Sequence, residues 1–111
     1  MTEAEISKRI QLAAPSIGCR LFRNTTGRLR DNRGKMISFG LAKGSSDLIG
    51  WVRHGAVAVF CAVEVKSAIG RLRPEQQHFL EVVNASGGIG IMARSVPDFL
   101  MAVEGWRAAH D

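Results

Sequence analysis

Residues 56–66 read Ala-Val-Ala-Val-Phe-Cys-Ala-Val-Glu-Val-Lys, and this is the most apolar stretch of the chain. A nearly continuous apolar run of this length is typical of a central strand that is buried on both faces of a sheet. Only Glu64 interrupts the run, and Lys66 follows directly after it. We therefore predict an α/β fold whose central strand carries a charged pair at its carboxyl end.

Apolar spacing on either side of this strand predicts helices and further strands around one sheet. Residues 2–16 have helical periodicity, with Thr2 as the N-cap and Gly18 as the stop signal. Residues 24–35 are turn-forming and basic, so they are predicted to form a flexible loop. Further strands are predicted over residues 19–23, 36–39, 47–52 and 89–93, and further helices from Pro74 to near Gly87 and after the cap Ser95. The predicted order is α-β-β-β-β-α-β-α, with helices flanking a central sheet.

The composition indicates one soluble domain over residues 1–111. Hydrophobic residues make up 46% and charged residues 23%, which argues against disorder. The net charge of +5 favours polyanionic partners. No signal-peptide pattern is visible, and no apolar run approaches the roughly 18 residues of a membrane span. Cys19 and Cys61 lack ligand-like spacing and are predicted to be reduced core residues, so we expect a cytoplasmic protein without membrane contact.

Glu64 and Lys66 are an unusual feature of the sequence, because they place two charges at the end of its most apolar stretch. Residues i and i+2 of a strand point to the same face, so both side chains project together from the end of the central strand. Burying a carboxylate and an ammonium is costly unless they pair or bind a metal. A structural salt bridge and a catalytic metal site are therefore the two interpretations of this pair.

Asp47 favours the catalytic interpretation. It begins a strand after the glycine-serine turn of residues 44–46, and pairing of that strand with the central one would bring Asp47 beside Glu64. Two carboxylates and a backbone carbonyl, here that of Val65, suit Mg²⁺ or Mn²⁺. Such a metal activates water and polarises a phosphoryl oxygen, while Lys66 orients the nucleophile or offsets charge in the transition state. A plain strand or turn cap is the alternative role for Asp47.

Three motifs together resemble a known nuclease family. They are Gly-Ser-Ser-Asp-Leu-Ile-Gly at residues 44–50, Val-Glu-Val-Lys at 63–66 and Leu-Arg-Pro-Glu-Gln-Gln-His-Phe at 72–79. In this order and spacing they resemble the virus-type replication-repair nuclease (VRR-NUC) domain of the PD-(D/E)XK superfamily, over nearly the whole chain. The resemblance implies a restriction-endonuclease-like core with a central mixed β-sheet, divalent-metal dependence and phosphodiester hydrolysis. Stand-alone members from phages and prophages resemble dimeric Holliday-junction resolvases, which implies a bacterial or phage-infected host cell.

The resemblance also implies roles for individual residues. Asp47 and Glu64 match the metal-binding acids, Lys66 matches the catalytic lysine, and Ser46 replaces the proline that usually precedes the first acid. Gln76 matches a catalytic-site glutamine on the helix after the lysine. The neighbouring Gln77 is the alternative registration.

A glutamate on the first helix reaches the metal site in this family, and both Glu3 and Glu5 are candidates. Helical periodicity favours Glu3, because it shares a stripe with the apolar residues of the helix. The predicted metal ligands are then Glu3, Asp47, Glu64 and the carbonyl of Val65.

Basic residues around these motifs are predicted to contact DNA. Arg23 and Asn24 resemble a stretch that borders the family's active site, where Arg23 would contact the scissile phosphate and Asn24 would fix the loop within the DNA-binding surface. A plain turn residue is the alternative role for Asn24. A solvated loop is the alternative interpretation of the basic run that follows. The predicted contacts to the DNA backbone, which carry no base preference, are made by Arg28, Arg30, Arg33, Lys35, Arg71 and Arg73.

The leading hypothesis is a structure-selective DNA endonuclease that acts as a homodimer on four-way junctions. One small chain supplies one active site, whereas a C2 dimer supplies the two opposed cuts that a junction requires. A nickase or flap endonuclease of the same fold is the nearest alternative. A non-catalytic nucleic-acid-binding module and a purely structural domain remain as different classes, and only the first of these two predicts DNA binding.

Overall fold

The apolar run of the sequence forms the central strand of a four-stranded sheet. The computed structural model describes all 111 residues. The helices are α1 (Glu3–Ala13), α2 (Pro74–Ala85) and α3 (Val96–His110), and a short 3₁₀ helix (Ala14–Ile17) follows α1. The strands are β1 (Cys19–Arg23), β2 (Gly27–Arg30), β3 (Met36–Phe39), β4 (Leu48–His54), β5 (Val57–Val65) and β6 (Ile89–Ala93).

The central sheet has the strand order β1-β4-β5-β6 and is mixed. β1, β4 and β5 pair antiparallel, whereas β5 and β6 are parallel and are joined by the crossover through α2. Leu48 lies opposite Val63, so the register brings Asp47 to the level of Glu64. The predicted α/β architecture, with helices flanking a central mixed sheet, is confirmed.

Helices cover the two faces of this sheet unequally. On one face, α1 and α3 bury Ile10 and Phe99 in a core of 15 residues that includes Cys61. On the other face, α2 packs Leu80 against Ala62 in a smaller cluster. Alternate residues of a strand face opposite sides, so the carboxyl half of β5 has helices on both sides. Glu64 therefore lies in the interior of the protein.

The helix boundaries follow the predicted capping signals. The Thr2 hydroxyl accepts a hydrogen bond of 3.1 Å from the backbone N–H three residues ahead, and Ser95 caps α3 in the same way at 3.2 Å. Gly18 has a left-handed φ of +75°, which ends the first helical segment. α1 ends before the predicted residue 16, because Pro15 has no N–H to donate and the chain tightens into the 3₁₀ helix.

Two details of the sequence prediction are wrong. Residues 24–35 are not a loop throughout, because Gly27–Arg30 form β2 and pair antiparallel with β3 in a separate two-stranded sheet. The central strand is buried on both faces only from Cys61 to Val65. Phe60 is 43% exposed because α2, which packs on its face of the sheet, reaches only the carboxyl half of β5. Val57 is 60% exposed on the opposite face, where it lies outside the core formed with α1 and α3.

Both cysteines are free and buried, as predicted. The pKa of the Cys61 thiol is raised to about 12, mainly because the side chain is buried. Cys61 is therefore an unreactive thiol in the core. None of the helices combines the length and the apolar character that crossing a membrane requires.

Candidate active site

Asp47 lies just before β4, where three backbone segments meet. Its carbonyl oxygen accepts a hydrogen bond of 2.7 Å from the Asn24 N–H, which extends the pairing of β1 with β4. Its carboxylate oxygen Oδ2 accepts a hydrogen bond of 2.9 Å from the Val65 N–H at the end of β5. The half-buried carboxylate is thus held against the strand that carries Glu64.

Glu64 is an acidic side chain in the protein interior, and only 2% of its surface is exposed. Its Oε1 accepts a hydrogen bond of 2.9 Å from Gln76 Nε2, whereas its Oε2 is buried without a hydrogen-bond partner. Burial, followed by the charge of Asp47, raises the pKa of Glu64 to about 7, and Lys66 acts in the opposite direction. A buried carboxylate oxygen without a partner, next to a second acid, is an arrangement that a cation would complete.

Lys66 directly follows β5, and its side chain lies beside that of Glu64, as the spacing of two residues predicts. Its N–H donates to the Ala93 carbonyl at 3.0 Å, so the parallel neighbour β6 fixes the backbone at this point. Its Nζ lies 3.6 Å from Glu64 Oε1, and 12% of its side chain is exposed. This distance exceeds that of a hydrogen bond, so the ammonium offsets the negative charge while its donors stay available to a substrate.

Gln76 connects α2 to the buried carboxylate. Its Oε1 accepts a hydrogen bond of 2.9 Å from the Arg73 N–H at the start of α2, and its Nε2 donates to Glu64. Both ends of the amide are therefore in use, which fixes its orientation. Gln77 is exposed and donates to Glu81 at 3.1 Å, so the structure brings Gln76, and not Gln77, to the site.

A family model of the VRR-NUC domain matches residues 18–97. The chain belongs to the VRR-NUC family. The matched region includes Asp47, Glu64, Lys66 and Gln76, whereas α1 lies outside it. Membership makes this chain a nuclease domain of the PD-(D/E)XK superfamily, whose members usually use divalent metals and whose nuclease domains imply DNA as substrate. No curated protein and no solved structure matches the chain.

The VRR-NUC chain brings Glu3 of α1 to the same cleft as Asp47. Glu3 Oε2 accepts a hydrogen bond of 3.1 Å from the Ser67 N–H, one residue beyond Lys66. This placement favours Glu3 over Glu5, which does not line the cleft. The cleft has a volume of about 300 Å³ and is lined by Glu3, Ala4, Ser7, Arg23, Asn24, Thr25, Thr26 and Asp47.

We expect Glu3→Gln to lower DNA cleavage at least about tenfold, and Glu5→Gln to leave it unchanged within about twofold. Both substitutions remove one negative charge from the first turn of α1, so both alter the interaction with the helix dipole to the same extent. Glu5→Gln is therefore a matched control. Initial cleavage rates with Mg²⁺ measure the difference, and equal losses in the two variants would assign the effect to helix stability.

Asn24 shapes the loop that leads to Asp47. Its side-chain amide donates to Ser45 Oγ at 2.8 Å and to the Ser46 carbonyl at 2.9 Å. Its Oδ1 accepts a hydrogen bond of 3.1 Å from the Leu41 N–H. The side chain thereby holds both ends of the segment that contains β2 and β3 at the edge of the cleft. This explains why an asparagine follows β1.

The basic residues predicted to contact DNA lie in three places on the chain, and Arg23 is the one that lines the cleft. Arg73 and Arg71 are exposed on the segment between β5 and α2, and Arg73 Nε lies 3.5 Å from Glu75 Oε1. The remaining four side chains are exposed on the β2–β3 hairpin and are Arg28, Arg30, Arg33 and Lys35.

Arg94 is a supporting residue that the sequence analysis missed. Its guanidinium donates to the carbonyl of Ser67 and, at 2.7 Å, to that of Gly70. It thus holds the segment that follows Lys66 and that presents the Ser67 N–H to Glu3. The only available signal was its position directly after the strand predicted over residues 89–93. The structure pairs this strand in parallel with β5, so both strands end at the same edge of the sheet.

The residues present fit a divalent cation with oxygen ligands. Asp47, just before β4, and Glu64 on the neighbouring strand β5 would supply carboxylates. The Val65 N–H donates to Asp47, and the Val65 carbonyl would supply a further oxygen. No group of three His, Cys, Asp or Glu side chains forms a complete cluster. Mg²⁺ retains several waters and uses one or two carboxylates, so a complete protein cage is not required.

Proposed function

We propose that this VRR-NUC protein is a divalent-metal-dependent DNA endonuclease that cleaves branched DNA, and that it acts as a homodimer on four-way junctions. The observation that carries the proposal is the buried Glu64, whose Oε2 lacks a partner, beside Asp47 and Lys66. A purely structural ion pair would leave no carboxylate oxygen unsatisfied in the interior. A non-catalytic binding module would need neither this buried charge nor its unpartnered oxygen.

Asp47, Glu64 and the Val65 carbonyl would hold Mg²⁺ or Mn²⁺, and Glu3 would approach from α1. When bound, the metal lowers the pKa of a coordinated water and polarises a phosphoryl oxygen. Gln76 keeps one oxygen of Glu64 hydrogen-bonded, so the carboxylate presents the other oxygen to the ligand. The side chains that create the site are thereby oriented before substrate arrives.

Lys66 acts on the phosphodiester itself. Water attacks phosphorus, one bridging P–O bond breaks, and the departing oxygen receives a proton. Negative charge grows on the phosphoryl oxygens during this step. The Lys66 ammonium would stabilise that charge, because an ammonium that is largely buried is weakly screened by solvent. Arg23, which lines the cleft, holds the scissile phosphate, and the other basic side chains bind neighbouring phosphates.

Cleavage of labelled DNA tests this function. A four-way junction, a flap and a linear duplex of matched sequence are incubated with Mg²⁺, Mn²⁺ or EDTA. We expect metal-dependent cleavage of the junction, and a loss of at least about 100-fold in Lys66→Ala, since one charge-stabilising donor contributes that much to a rate. Absence of cleavage on every substrate, or equal activity in Lys66→Ala, would refute the proposal.

The sheet face that α2 leaves uncovered is where we expect the second copy. Phe22, Trp51 and Phe60 lie side by side there and are 53%, 40% and 43% exposed. The rings of Phe22 and Trp51 are 5.6 Å apart between centroids. Aromatic side chains are enriched at the centre of subunit interfaces, where they bury a large area.

We expect Trp51→Glu to convert a dimer into a monomer, because a carboxylate at the centre of an apolar interface loses its hydration. Leu12→Glu is the matched control, since Leu12 is 73% exposed on α1 and lies outside this face. Light scattering after gel filtration measures the mass. A monomeric wild-type protein, even with junction DNA, would exclude paired cuts by a dimer and would favour the nickase or flap endonuclease.

A further inference from the structure

The β2–β3 hairpin, residues 27–39, is a ribbon with two chemically different sides. Its strands pair only with each other, and cross-strand partners share a side. Arg28 and Arg30 lie on one side, which also holds their cross-strand partners Ser38 and Met36. Leu29 is paired with Ile37 on the other side, where the Phe39 ring packs so closely over Gly27 that a Cβ there would clash. We call these the basic side and the apolar side of the ribbon.

The tip of the ribbon is built by its own hydrogen bonds. Asp31 Oδ1 accepts hydrogen bonds from the N–H groups of Arg33 and Lys35 at 2.9 and 2.8 Å. The Asp31 N–H donates to the Lys35 carbonyl at 2.8 Å, and Gly34 provides the φ of +80° that the turn requires. These hydrogen bonds within the ribbon define the shape of its tip.

The apolar side of the ribbon lacks cover within the chain. Leu29 is 63% exposed, Ile37 47% and Phe39 39%. An isolated two-stranded hairpin is at best marginally stable in water, and exposed apolar sides of this kind mark binding surfaces. An occupant from outside the chain is therefore expected on this side.

The charge of the ribbon favours nucleic acid as the occupant. The ribbon carries four basic side chains and one acid, and that acid is engaged in the turn. A second copy of the ribbon would bring the positive charges of the two together, which disfavours it as the partner. DNA satisfies both sides, because phosphates suit the basic side and exposed base faces suit the apolar side.

The ribbon rises from the edge of the active-site cleft. Thr25 and Thr26, which precede β2, line the cleft together with Asp47. Asn24 precedes the ribbon in sequence, and its side chain also accepts a hydrogen bond from the Leu41 N–H, just after the ribbon ends. Strands of four residues extend about 13 Å from that edge, the length of about four base-pair steps. DNA cleaved in the cleft would thus meet the ribbon close to the scissile bond.

We propose that the β2–β3 ribbon recognises the branch point of the DNA, with Leu29 and Ile37 packed against bases that the branch unstacks and Arg28 and Arg30 on the flanking phosphates. The inference rests on the proposed function, which makes branched DNA the substrate of the neighbouring cleft. At a branch, bases expose faces that a continuous duplex keeps stacked. The apolar side therefore provides selectivity for structure, and the basic side provides affinity without selectivity.

Binding without catalysis tests the ribbon independently of nuclease activity. Affinities for a four-way junction and a matched duplex are measured in EDTA by fluorescence anisotropy, with 2-aminopurine at the branch reporting base contact. We expect wild type to prefer the junction at least about tenfold, and Leu29→Thr/Ile37→Thr to reduce that preference to below about threefold with duplex affinity unchanged. The 2-aminopurine signal should respond to wild type and not to the variant.

Matched variants separate the two sides of the ribbon. Arg28→Gln/Arg30→Gln should weaken binding to both DNAs and reduce the slope of log K against log salt by about two, because each arginine neutralises about one phosphate. Val57→Thr, a substitution at an exposed strand residue outside the ribbon, should change nothing. Thermal unfolding within about 2 °C of wild type checks that each variant folds, and single Ile37→Thr replaces the double variant if it does not.

Three results would overturn the inference. The first is a junction preference that survives Leu29→Thr/Ile37→Thr, and the second is an equal loss of junction and duplex binding in that variant. The third is a change of the variant protein from dimer to monomer, which would make the apolar side a subunit contact. Cleavage with Mg²⁺ is scored separately. A wild-type protein that cleaves nothing but binds the junction through Leu29 and Ile37 would refute the nuclease proposal alone, whereas active cleavage with an unaltered junction preference would refute the ribbon proposal alone.

Discussion

Replacing Asp47 by Asn should abolish DNA cleavage, with a rate loss of at least about 1000-fold, while the protein still folds. The asparagine oxygen can still accept the hydrogen bond that the Val65 N–H donates at 2.9 Å. The negative charge beside Glu64 is removed, however, and with it one of the two carboxylates that would hold the metal. The substitution therefore separates the chemical role of Asp47 from its structural one.

Two measurements check this result. Cleavage rates give the loss of activity, and calorimetric titration with Mn²⁺ gives the loss of metal affinity. Glu81→Gln is the control, because it removes one exposed acid from α2 outside the cleft. Retention of more than about a tenth of wild-type activity in Asp47→Asn would contradict the assignment of Asp47 as a metal ligand.

Glu64→Gln should have opposite effects on activity and on stability. Cleavage should fall by at least about 1000-fold, because the second carboxylate is removed. The free energy of unfolding in EDTA at pH 8 should rise on the order of 2 kcal/mol, because a buried charge next to Asp47 is eliminated. The amide oxygen of the substituted side chain can still accept the hydrogen bond from Gln76.

The pH dependence of unfolding follows from the same carboxyl group. The pKa of Glu64 is raised to about 7 from an ordinary value of 4.5, so the folded state binds more protons than the unfolded state between these values. Stability from this group is complete below pH about 4.5 and is lost as pH rises through about 7. In Glu64→Gln this decrease should be absent. A wild-type protein as stable in EDTA at pH 8 as the variant would contradict the burial of an ionised Glu64.

Binding of Mg²⁺ should offset the destabilisation that ionised Glu64 causes, and it should do so in the wild-type protein only. A ligand that binds the folded state stabilises it in proportion to the logarithm of its concentration. Mg²⁺ at pH 8 should therefore raise the melting temperature of the wild-type protein and leave that of Glu64→Gln nearly unchanged. Equal shifts in both proteins would place the bound metal elsewhere.

Glu64 and Lys66 could be proposed from the sequence because they depart from the local apolar pattern, whereas Asp47 was proposed from its position and from the resemblance to the VRR-NUC domain. Glu64 interrupts an apolar run, Lys66 follows at the spacing that shares a face, and Asp47 begins a strand after a glycine-serine turn. These signals are local, so they require no knowledge of the fold. The match to the VRR-NUC domain supports the ordered set of motifs.

Contacts between distant segments could not be predicted in the same way. β2 is a strand because β3 provides its hydrogen bonds, and four residues with a glycine and two arginines carry no strand signal of their own. Arg94 supports the site because β6 pairs in parallel with β5, which brings its guanidinium to the segment after Lys66. The formation of β2 and the position of Arg94 thus each depend on a strand pairing that the local sequence pattern does not encode.

The amino-acid sequence was sufficient to propose the chemical groups of the site: its local patterns indicated two carboxylates and a lysine, and the resemblance to the VRR-NUC domain added the amide of Gln76. How these groups act on one another depends on the folded chain. Folding leaves Glu64 Oε2 buried without a partner, raises the pKa of that carboxyl group, and connects Glu3 to Ser67 across the chain. Desolvation and charge interactions depend on distances in space, and those distances are set by strand register and helix packing.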